Sequence, residues 1–380
     1  MAAAPQPAGE AAPAGRAASA PPRVTFAILA VLSVGFLAEL IFAIELPSAF
    51  LRPSIKTLLA LGCLQRAVMV EHGESYRLMT APLLHADFLH LTFNAIALLM
   101  GGYLLERLVG RAWFLAIYVV SGVTGGLVSL AVHDPMSTSV GASGAIMGLF
   151  AAALTVSLRP GLDPAAAGRL RAGAVRILIP SLLPLAANAG GGTIDYGAHV
   201  GGALGGAALG LLVARTWPRA QARPRFRAAA ATIGALGGAL CLAGAVAVGV
   251  RYPRYEVLGR LIPPDELRTT NREARARVAQ LVTAYPEDPR AHMSRGFVLA
   301  EAGDLAAAEA EFRTALGLAD ELRYFLGAPF DNMIRALLAE TVRERGDVAE
   351  ARAIARPACQ TPPDQQPPES FRPLLRQLCD

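Results

Sequence analysis

The stretch YGAHVGGALGGAALGLLV, residues 196–213, contains no charged residue and consists mostly of small and aliphatic side chains. Its length is close to the ~20 residues that a helix needs to cross ~30 Å of hydrocarbon. Six other apolar stretches lie on either side of it, so the sequence predicts seven membrane-spanning helices. The predicted spans cover residues 24–46, 83–108, 113–132, 140–158, 177–187, 196–213 and 228–250. The fifth span is the weakest, because it is short and is interrupted by Pro180 and Pro184.

The composition excludes several classes of protein. Of the 380 residues, 53% are hydrophobic and 17% are charged, whereas a soluble domain carries about 25% charged residues. This balance disfavours an ordinary cytosolic enzyme and excludes a wholly disordered chain, and four cysteines are too few for a small disulfide scaffold. Because there are 37 glycines and only 6% aromatic residues, we predict an all-α fold, a polytopic membrane helix bundle whose helices pack closely through small residues.

The distribution of charge predicts the orientation of the spans. Arginines follow the second, fourth and sixth spans, whereas loops 133–139 and 188–195 contain no Lys or Arg. Because basic loops stay in the cytoplasm, we expect the N-terminus inside and the C-terminal region outside. Loop 47–82 has four basic residues, and we assign it to the outside because two glutamates partly balance them. The 34 arginines against one lysine suggest a GC-rich bacterial genome, and hence a bacterial cytoplasmic membrane.

The chain divides into five predicted segments. Up to Glu256 there are 19 basic and 11 acidic residues, and after it there are 16 and 19. The basic residues punctuate apolar runs and do not cluster on one face, which excludes nucleic acid as a partner. The segments are a disordered Ala/Pro-rich tail (1–22), a six-span core (23–215), a cytoplasmic linker with the seventh span (216–252), soluble helical repeats (253–360) and a Pro-rich tail (361–380).

The segment 253–360 contains a recurring turn sequence. Gly303-Asp304-Leu305 recurs as Gly346-Asp347-Val348, a spacing typical of a tetratricopeptide repeat with an insertion. The pattern predicts a tetratricopeptide-like domain with a surface for a peptide or protein partner, and a plain helical hairpin bundle is the alternative. Cys359 and Cys379 either pair as a disulfide, which an external compartment permits, or are two free thiols.

Four polar residues lie where the predicted spans meet one face of the membrane. They are His90 and Asn94 in the second span, Ser143 in the fourth and His199 in the sixth. Polar groups inside a membrane are expensive and usually functional. Since the second, fourth and sixth spans all begin on the external side, the four groups converge at one depth.

The residue types of this cluster are those of nucleophilic catalysis. Ser143 is a candidate nucleophile and His199 its general base, while the backbone N–H of Ser143 with His90 and Asn94 could hold an oxyanion. Asp195 precedes His199 by one helical turn in a loop, and we expect it to be too exposed to orient the imidazole, which leaves a Ser-His dyad.

Structural roles are the alternatives for the same residues. Gly141 and Gly144 around the serine, and Gly202 and Gly206 on the same helix face as the histidine, also suit close helix packing. A lone intramembrane histidine is often a hydrogen-bonded packing residue. His90 with Asn94, one turn apart, could be a polar clamp between helices.

Taken together, these motifs resemble the rhomboid family of intramembrane serine proteases. Gly141-Ala142-Ser143-Gly144 is similar to the family's nucleophile motif, and Ala198-His199 with Gly202 and Gly206 to its histidine helix. The segment from His85 to Asn94 resembles its second span and carries the oxyanion role to His90 and Asn94. Further matches are Tyr76-Arg77 in the first loop and Glu106, Gly110 and Phe114 after the second span.

The resemblance implies a six-span core with an added seventh span, and cleavage of substrate transmembrane segments near their external ends without a cofactor or metal. Substrates would have small residues near the scissile bond and a helix that unwinds easily. Met147, one turn after Ser143, stands where well-known bacterial members have an aromatic residue that packs on the histidine.

Three other functions make different predictions for this sequence. A catalytically weak or inactive rhomboid-like protein that binds client membrane proteins would be favoured by loss of the serine or histidine, and both are present. A transporter predicts charged residues near the middle of the bilayer, and apart from Glu39 and Glu45 the spans largely lack them. A membrane metalloprotease would need His-Glu-x-x-His, which does not occur.

Overall fold

The computed structural model describes residues 21–182, 194–262 and 271–379. Most of the predicted N-terminal tail, the second half of the predicted fifth span and much of the loop after that span lie outside these ranges. The chain separates into two compact units, Met1–Tyr255 and Glu256–Asp380. Apart from two isolated β-bridges, all regular structure in the described ranges is helical, which confirms the all-α prediction.

The first unit contains ten helices within the described residues. In chain order they are α1 (Arg23–Ile41), α2 (Ile55–Ala60), α3 (Arg66–His72), α4 (Arg77–Thr80), α5 (Phe88–Val109), α6 (Arg111–Val132), α7 (Ser143–Val156), α8 (Pro164–Leu182), α9 (Tyr196–Thr216) and α10 (Arg227–Glu256). Five of them, α1, α5, α6, α9 and α10, are long and apolar enough to cross a membrane. This confirms a polytopic membrane bundle.

Two of the predicted spans differ in the structure. The fourth corresponds to α7, which is short because residues 140–142 form a turn, and in which almost every residue is buried. The fifth belongs to α8, which begins at Pro164 and extends through arginines that were expected in a loop. Asp163 accepts a hydrogen bond from Ala166 N and caps this helix, and the alanine-rich sequence that follows has high helix propensity. The arginines lie on its exposed face.

Helices α7 and α9 are in direct backbone contact. A Cβ atom added to Gly202 would lie 1.9 Å from the carbonyl oxygen of Gly144, and one added to Gly206 would lie 2.0 Å from that of Gly148. Only glycine allows such an approach, because any other side chain would overlap the neighbouring backbone. The two helices that carry Ser143 and His199 are therefore in contact through their main chains.

A buried carboxylate fixes α1 against α5. Glu106, which is 4% exposed, accepts hydrogen bonds from the backbone of Val24 at 3.0 Å and from the backbone and hydroxyl of Thr25 at 2.8 and 2.7 Å. These amides begin α1 and have no acceptor within the helix. The chain then turns into α6 at Gly110, whose φ of +85° favours glycine.

The second unit is a series of helices with two similar turns. Its helices are α11 (Asn271–Ala284), α12 (Pro289–Glu301), α13 (Leu305–Glu321), α14 (Arg323–Glu344), α15 (Val348–Cys359) and α16 (Arg372–Cys379). Gly303 and Gly346 both have positive φ, +84° and +100°, and the aspartate after each caps the next helix. The two Gly-Asp sequences thus form the same local structure.

A disulfide closes the end of the second unit. Cys359 at the end of α15 is bonded to Cys379 in α16, so of the two alternatives the structure has the pair. Helix α16 lies within the segment predicted as a Pro-rich tail, and its buried leucines Leu375 and Leu378 pack into the core of this unit. Cys63 and Cys241 are free.

Candidate active site

Ser143 is the first residue of α7 and is half-buried. The turn before it contains Gly141 with φ of +116°, a conformation that other residues rarely adopt. The amides of a first helical turn have no acceptor within the helix and lie at the positive end of the helix dipole. Ser143 thus belongs to a first helical turn whose backbone N–H groups can bind a developing negative charge.

His199 lies in the first turn of α9 and is 8% exposed. Its Nδ1 atom is 2.8 Å from the carbonyl oxygen of Ser181 in the last turn of α8. A carbonyl can only accept, so Nδ1 carries the proton and Nε2 of the neutral ring keeps its lone pair. This hydrogen bond sets the tautomer that a general base needs.

The candidate nucleophile and the candidate base lie next to two residues, Gly144 and Ala198, that contact each other. A Cβ atom on Gly144 would lie 2.9 Å from the carbonyl oxygen of Ala198, so the residues adjacent to Ser143 and His199 are in contact. Among the hydrogen bonds of the described residues there is none between the Ser143 hydroxyl and the His199 imidazole. The two residues therefore lie on helices that contact each other, but no hydrogen bond is formed between their side chains.

His90 and Asn94 lie on α5 against the turn that leads to Ser143. A Cβ atom on Gly141 would be 3.0 Å from His90 Nε2 and 3.6 Å from Asn94 Nδ2. The Nδ1 atom of His90 accepts from Ala86 N at 3.3 Å, which places the ring proton on Nε2, toward Gly141. Asp87 caps the helix by accepting from His90 N at 2.8 Å.

The amide of Asn94 is a buried donor without a partner. Asn94 is 6% exposed, and its Nδ2 atom has no hydrogen-bond partner. A buried donor left unpaired costs ~1–3 kcal/mol, and this donor remains available for a ligand. Because this donor and His90 Nε2 both face Gly141, they are suitably placed to bind an oxygen atom near Ser143.

The Asp195 carboxylate makes no hydrogen bond to the His199 ring, although its backbone carbonyl accepts from His199 N at 3.1 Å, and the reason differs from the one expected. Its side chain is only 17% exposed. It accepts hydrogen bonds from Ser129 Oγ at 2.6 Å, from Ala198 N at 2.7 Å and from Ser139 Oγ, and it lies 2.9 Å from His133 Nε2. Burial alone would raise the pKa of Asp195, but these hydrogen bonds outweigh it and lower that pKa. Asp195 therefore ties the beginning of α9 to α6 and to the following loop.

Met147, the remaining predicted site residue, is 4% exposed and packs in the core one turn after Ser143.

A cavity of about 20 Å³ opens next to the Gly141 turn, and its lining is almost entirely apolar. It includes Leu78, Ala81, Gly122, Val140, Gly144 and Ala145. Its size suits a group no larger than a methyl or a water molecule.

A second polar layer lies behind His90, and sequence reasoning did not assign it. Glu39 on α1 is fully buried and accepts from His85 N at 2.8 Å. The rings of His85 and His90 lie 5.2 Å apart.

The described residues contain no group of three or more His, Cys, Asp or Glu arranged to hold a metal ion.

Comparison with known proteins places the similarity on this part of the chain. Residues 72–216 match the model of the Rhomboid domain. Rhomboid protease GluP of Bacillus subtilis is 37% identical over 163 residues, which are 41% of this chain and 30% of that protein. RHOMBOID-like protein 5 of Arabidopsis thaliana is 47% identical over 106 residues, 28% of this chain and 34% of that protein. Putative rhomboid protease YdcA of Bacillus subtilis is 44% identical over 81 residues, which are 21% of this chain and 41% of that protein. The chain spans less than half the length of each of these relatives.

Proposed function

We propose that this chain, whose residues 72–216 match the model of the Rhomboid domain, is an intramembrane serine endopeptidase. One observation carries the proposal: the His199 ring, fixed by Ser181 O with its proton on Nδ1, lies on a helix that touches the residue next to Ser143. A serine at a helix N-terminus and a neutral imidazole with a free lone pair are the two groups that a Ser-His dyad requires.

The dyad would act by general base and then general acid catalysis. Nε2 of His199 takes the hydroxyl proton as Oγ of Ser143 bonds to the carbonyl carbon of the scissile peptide. The imidazolium then gives its proton to the leaving nitrogen as the C–N bond breaks, which leaves an ester on Ser143. Water, deprotonated by the same imidazole, hydrolyses this ester and restores the serine. The Ser181 carbonyl keeps the ring oriented and accepts from the protonated imidazolium as well.

The oxyanion formed in each tetrahedral intermediate would be bound by three donors. These are the backbone N–H of Ser143, His90 Nε2 and Asn94 Nδ2. Two structural facts support the assignment: the His90 proton is placed on Nε2 by its bond with Ala86, and the Asn94 amide has no other partner. Removing one such donor typically lowers kcat by about 10²–10³.

The expected substrates are transmembrane segments with small residues near the scissile bond. The resemblance implies this class, and the cavity of about 20 Å³ beside the Gly141 turn has room for a small group. The proposal needs no cofactor or metal ion. A client-binding protein without catalytic activity is the alternative, in which the hydrogen bond of His199 to Ser181 O would serve packing alone.

Cleavage of a reporter tests the proposal directly. The purified full chain in liposomes is mixed with a tagged single-span reporter that has small residues in its external half. We expect cleavage by the native chain and none by Ser143→Ala or His199→Ala. The matched control is Ser33→Ala, which removes an exposed hydroxyl bonded only within α1, and it should cleave normally. Undiminished cleavage by Ser143→Ala would refute the assignment.

We also propose that the C-terminal region is external in a bacterial cytoplasmic membrane. The Cys359–Cys379 disulfide supports this orientation, because disulfides persist in oxidising compartments. Intact cells treated with a membrane-impermeant reductant and then an impermeant maleimide should label these two cysteines. Labelling only after the cells are opened would place the region in the cytoplasm.

For residues 253–360 we propose tetratricopeptide-like repeats that bind a peptide or protein partner. The matching Gly-Asp turns at 303 and 346 support a repeat, as does the packing of Phe312 against Gly296, where a Cβ atom would be only 2.8 Å from the ring. The preceding segment 216–252 would be the linker and seventh span. Binding of candidate peptides to the full chain, lost on substitution of exposed residues of this region but not of the core, would test the proposal.

A further inference from the structure

The last turns of α10, the proposed seventh span, end in a buried polar cluster on the first loop (residues 42–87). Tyr255 is 1% exposed. Its hydroxyl accepts from Arg77 Nη2 at 2.7 Å and donates to Glu74 Oε2 at 3.0 Å. Arg77 and Glu74 are themselves fully buried and paired through Arg77 Nε at 2.7 Å. One hydroxyl of the seventh span therefore serves both members of a buried ion pair in the first loop.

Other contacts extend this attachment along α10. Arg251 forms an ion pair with Glu74 Oε1 at 3.1 Å. The hydroxyl of Tyr252 donates to the carbonyl of Phe42 at 3.0 Å, and the two rings are 5.8 Å apart. A Cβ atom on Gly244 would lie 2.9 Å from Thr80 Cγ2. The seventh span is thus packed on the first loop over several turns.

The first loop in turn holds the chain segment that leads to Ser143. Arg77 Nη1 donates to the carbonyls of Leu59 and Cys63, both at 2.9 Å. The next residue, Leu64, exchanges two backbone hydrogen bonds of 2.9 Å with Ser139. The loop also accepts from the backbone of Gly141 through Ala81 O at 3.0 Å. Hydrogen bonds, joined by the peptide link between residues 63 and 64, therefore connect Tyr255 to the turn before the proposed nucleophile.

We propose that Tyr255 is a positioning residue of the active site: it locks the Arg77–Glu74 pair, and through the first loop it holds residues 139–141 in the geometry that catalysis requires. This inference rests on the proposed protease function for its kinetic consequence, but the structural coupling stands without it. The seventh span would then be part of the catalytic unit, not only an anchor for the second unit.

Loss of the Tyr255 hydroxyl should disturb the first loop because buried charges are costly. A fully buried ion pair is stable only when its remaining hydrogen-bonding positions are satisfied. Loss of the Tyr255 hydroxyl removes one of the two acceptors of Arg77 Nη2, leaving Glu74 Oε2 at 2.6 Å, and removes one donor from Glu74, in a place where both side chains are fully buried. The first loop is expected to open more often, and the 139–141 segment to lose its fixed position.

The decisive variant is Tyr255→Phe in the full chain, reconstituted in liposomes. It removes one oxygen and keeps the ring. We expect kcat for the reporter to fall by about tenfold, since misplacement of catalytic groups by a fraction of an ångström has effects of this order. KM should change by less than about twofold, because substrate contacts are untouched. The matched control is Tyr103→Phe, whose ring is exposed and stacked with Arg107, and both constants should be unchanged.

The thiol of Cys63 provides a readout that does not depend on catalysis. Cys63 is fully buried in the first loop, and burial raises its pKa to about 12, although Arg77 opposes this rise. It should react with a small maleimide only when the loop opens. We expect Tyr255→Phe to accelerate labelling of Cys63 by at least about fivefold, measured by mass spectrometry of its peptide. Tyr103→Phe should label at the native rate.

Each combination of results decides the question. A lower kcat together with faster labelling supports the inference, and no change in either overturns it. Faster labelling at unchanged kcat, or lower kcat at unchanged labelling, refutes positioning through the first loop. If the native chain does not cleave the reporter, the protease proposal fails and the labelling alone tests the attachment. Should Tyr255→Phe not fold, Arg251→Gln, at the more exposed edge of the cluster, is expected to shift both readouts in the same direction.

Discussion

Replacing Gly202 with alanine would place a methyl group 1.9 Å from the carbonyl oxygen of Gly144, in the backbone of the helix that carries Ser143. Ordinary carbon–oxygen contacts are at least about 3.4 Å, so the two helices would have to separate by more than ~1 Å. Neither side can relax by a rotamer change, because the clash is with main chain. Overpacking of this kind costs ~1–3 kcal/mol.

The same separation moves His199, which precedes Gly202 by less than one turn, away from Ser143. A displacement of ~1 Å between catalytic groups lowers the rate by about 10². We therefore expect Gly202→Ala to lose roughly this factor in kcat and to unfold at a lower temperature in detergent. Both quantities can be measured on the same purified sample, by reporter cleavage and by thermal unfolding.

Gly238→Ala is the matched control. Gly238 lies in α10, and a Cβ atom there would have no neighbour within 4 Å. Since alanine is the better helix former by ~1 kcal/mol, this variant should be as stable as the native chain or more stable, with full activity. Native stability and activity in Gly202→Ala would refute the claim that backbone contact between α7 and α9 assembles the site.

Three further predictions concern the polar groups. Asn94→Ala should lower kcat by about 10²–10³ with little change in KM, as measured by steady-state cleavage, because it removes an oxyanion donor and not a substrate contact. Activity should fall on acidification through the range of the imidazole, whose ordinary pKa is ~6.5, since a protonated Nε2 cannot act as a base; a flat profile from about pH 5 to 8 would exclude His199. Hydrogen bonds lower the pKa of Asp195 in the folded protein. The ionised carboxylate should therefore stabilise the fold at pH values above ~3.9, the pKa of an unfolded Asp, and this stabilisation should be lost as the pH falls through the lower folded-state pKa. Asp195→Asn should therefore reduce the unfolding temperature at pH 7 and abolish that part of the acid sensitivity.

The features that sequence predicted well are those that depend on residue type alone. Hydropathy identified α1, α5, α6, α9 and α10, since length and apolar composition decide whether a helix can cross a membrane. The motifs around Ser143 and His199, together with those of the second span and first loop in the same order, were sufficient to indicate the resemblance, although each of them alone also suits helix packing.

The extents of α7 and α8 were predicted wrongly because hydropathy does not report backbone conformation. Residues 140–142 are compatible with a span, but the φ of +116° at Gly141 makes a turn there. Arginines at the surface of α8 lowered its hydropathy, although its buried positions Ala167, Leu170, Ala174 and Leu178 follow a helical stripe.

The partners of the candidate site residues could not be predicted, because they come from distant parts of the chain. Ser181 binds His199 through its main-chain carbonyl, which carries no residue-type signal. Asp195 binds Ser129 and Ser139, 66 and 56 residues away. Tyr255 meets Arg77 across 178 residues. A single sequence gives the identity of such residues but not their pairing.

The most direct test of the central claim is covalent capture of the nucleophile. The full chain in liposomes is treated with a fluorophosphonate, which reacts only with an activated serine, and the adduct is located by mass spectrometry of its peptides. We predict one adduct, on Ser143, that disappears in His199→Ala and persists in Ser33→Ala. Labelling of another serine, or labelling of Ser143 that is unchanged by loss of the imidazole, would contradict it.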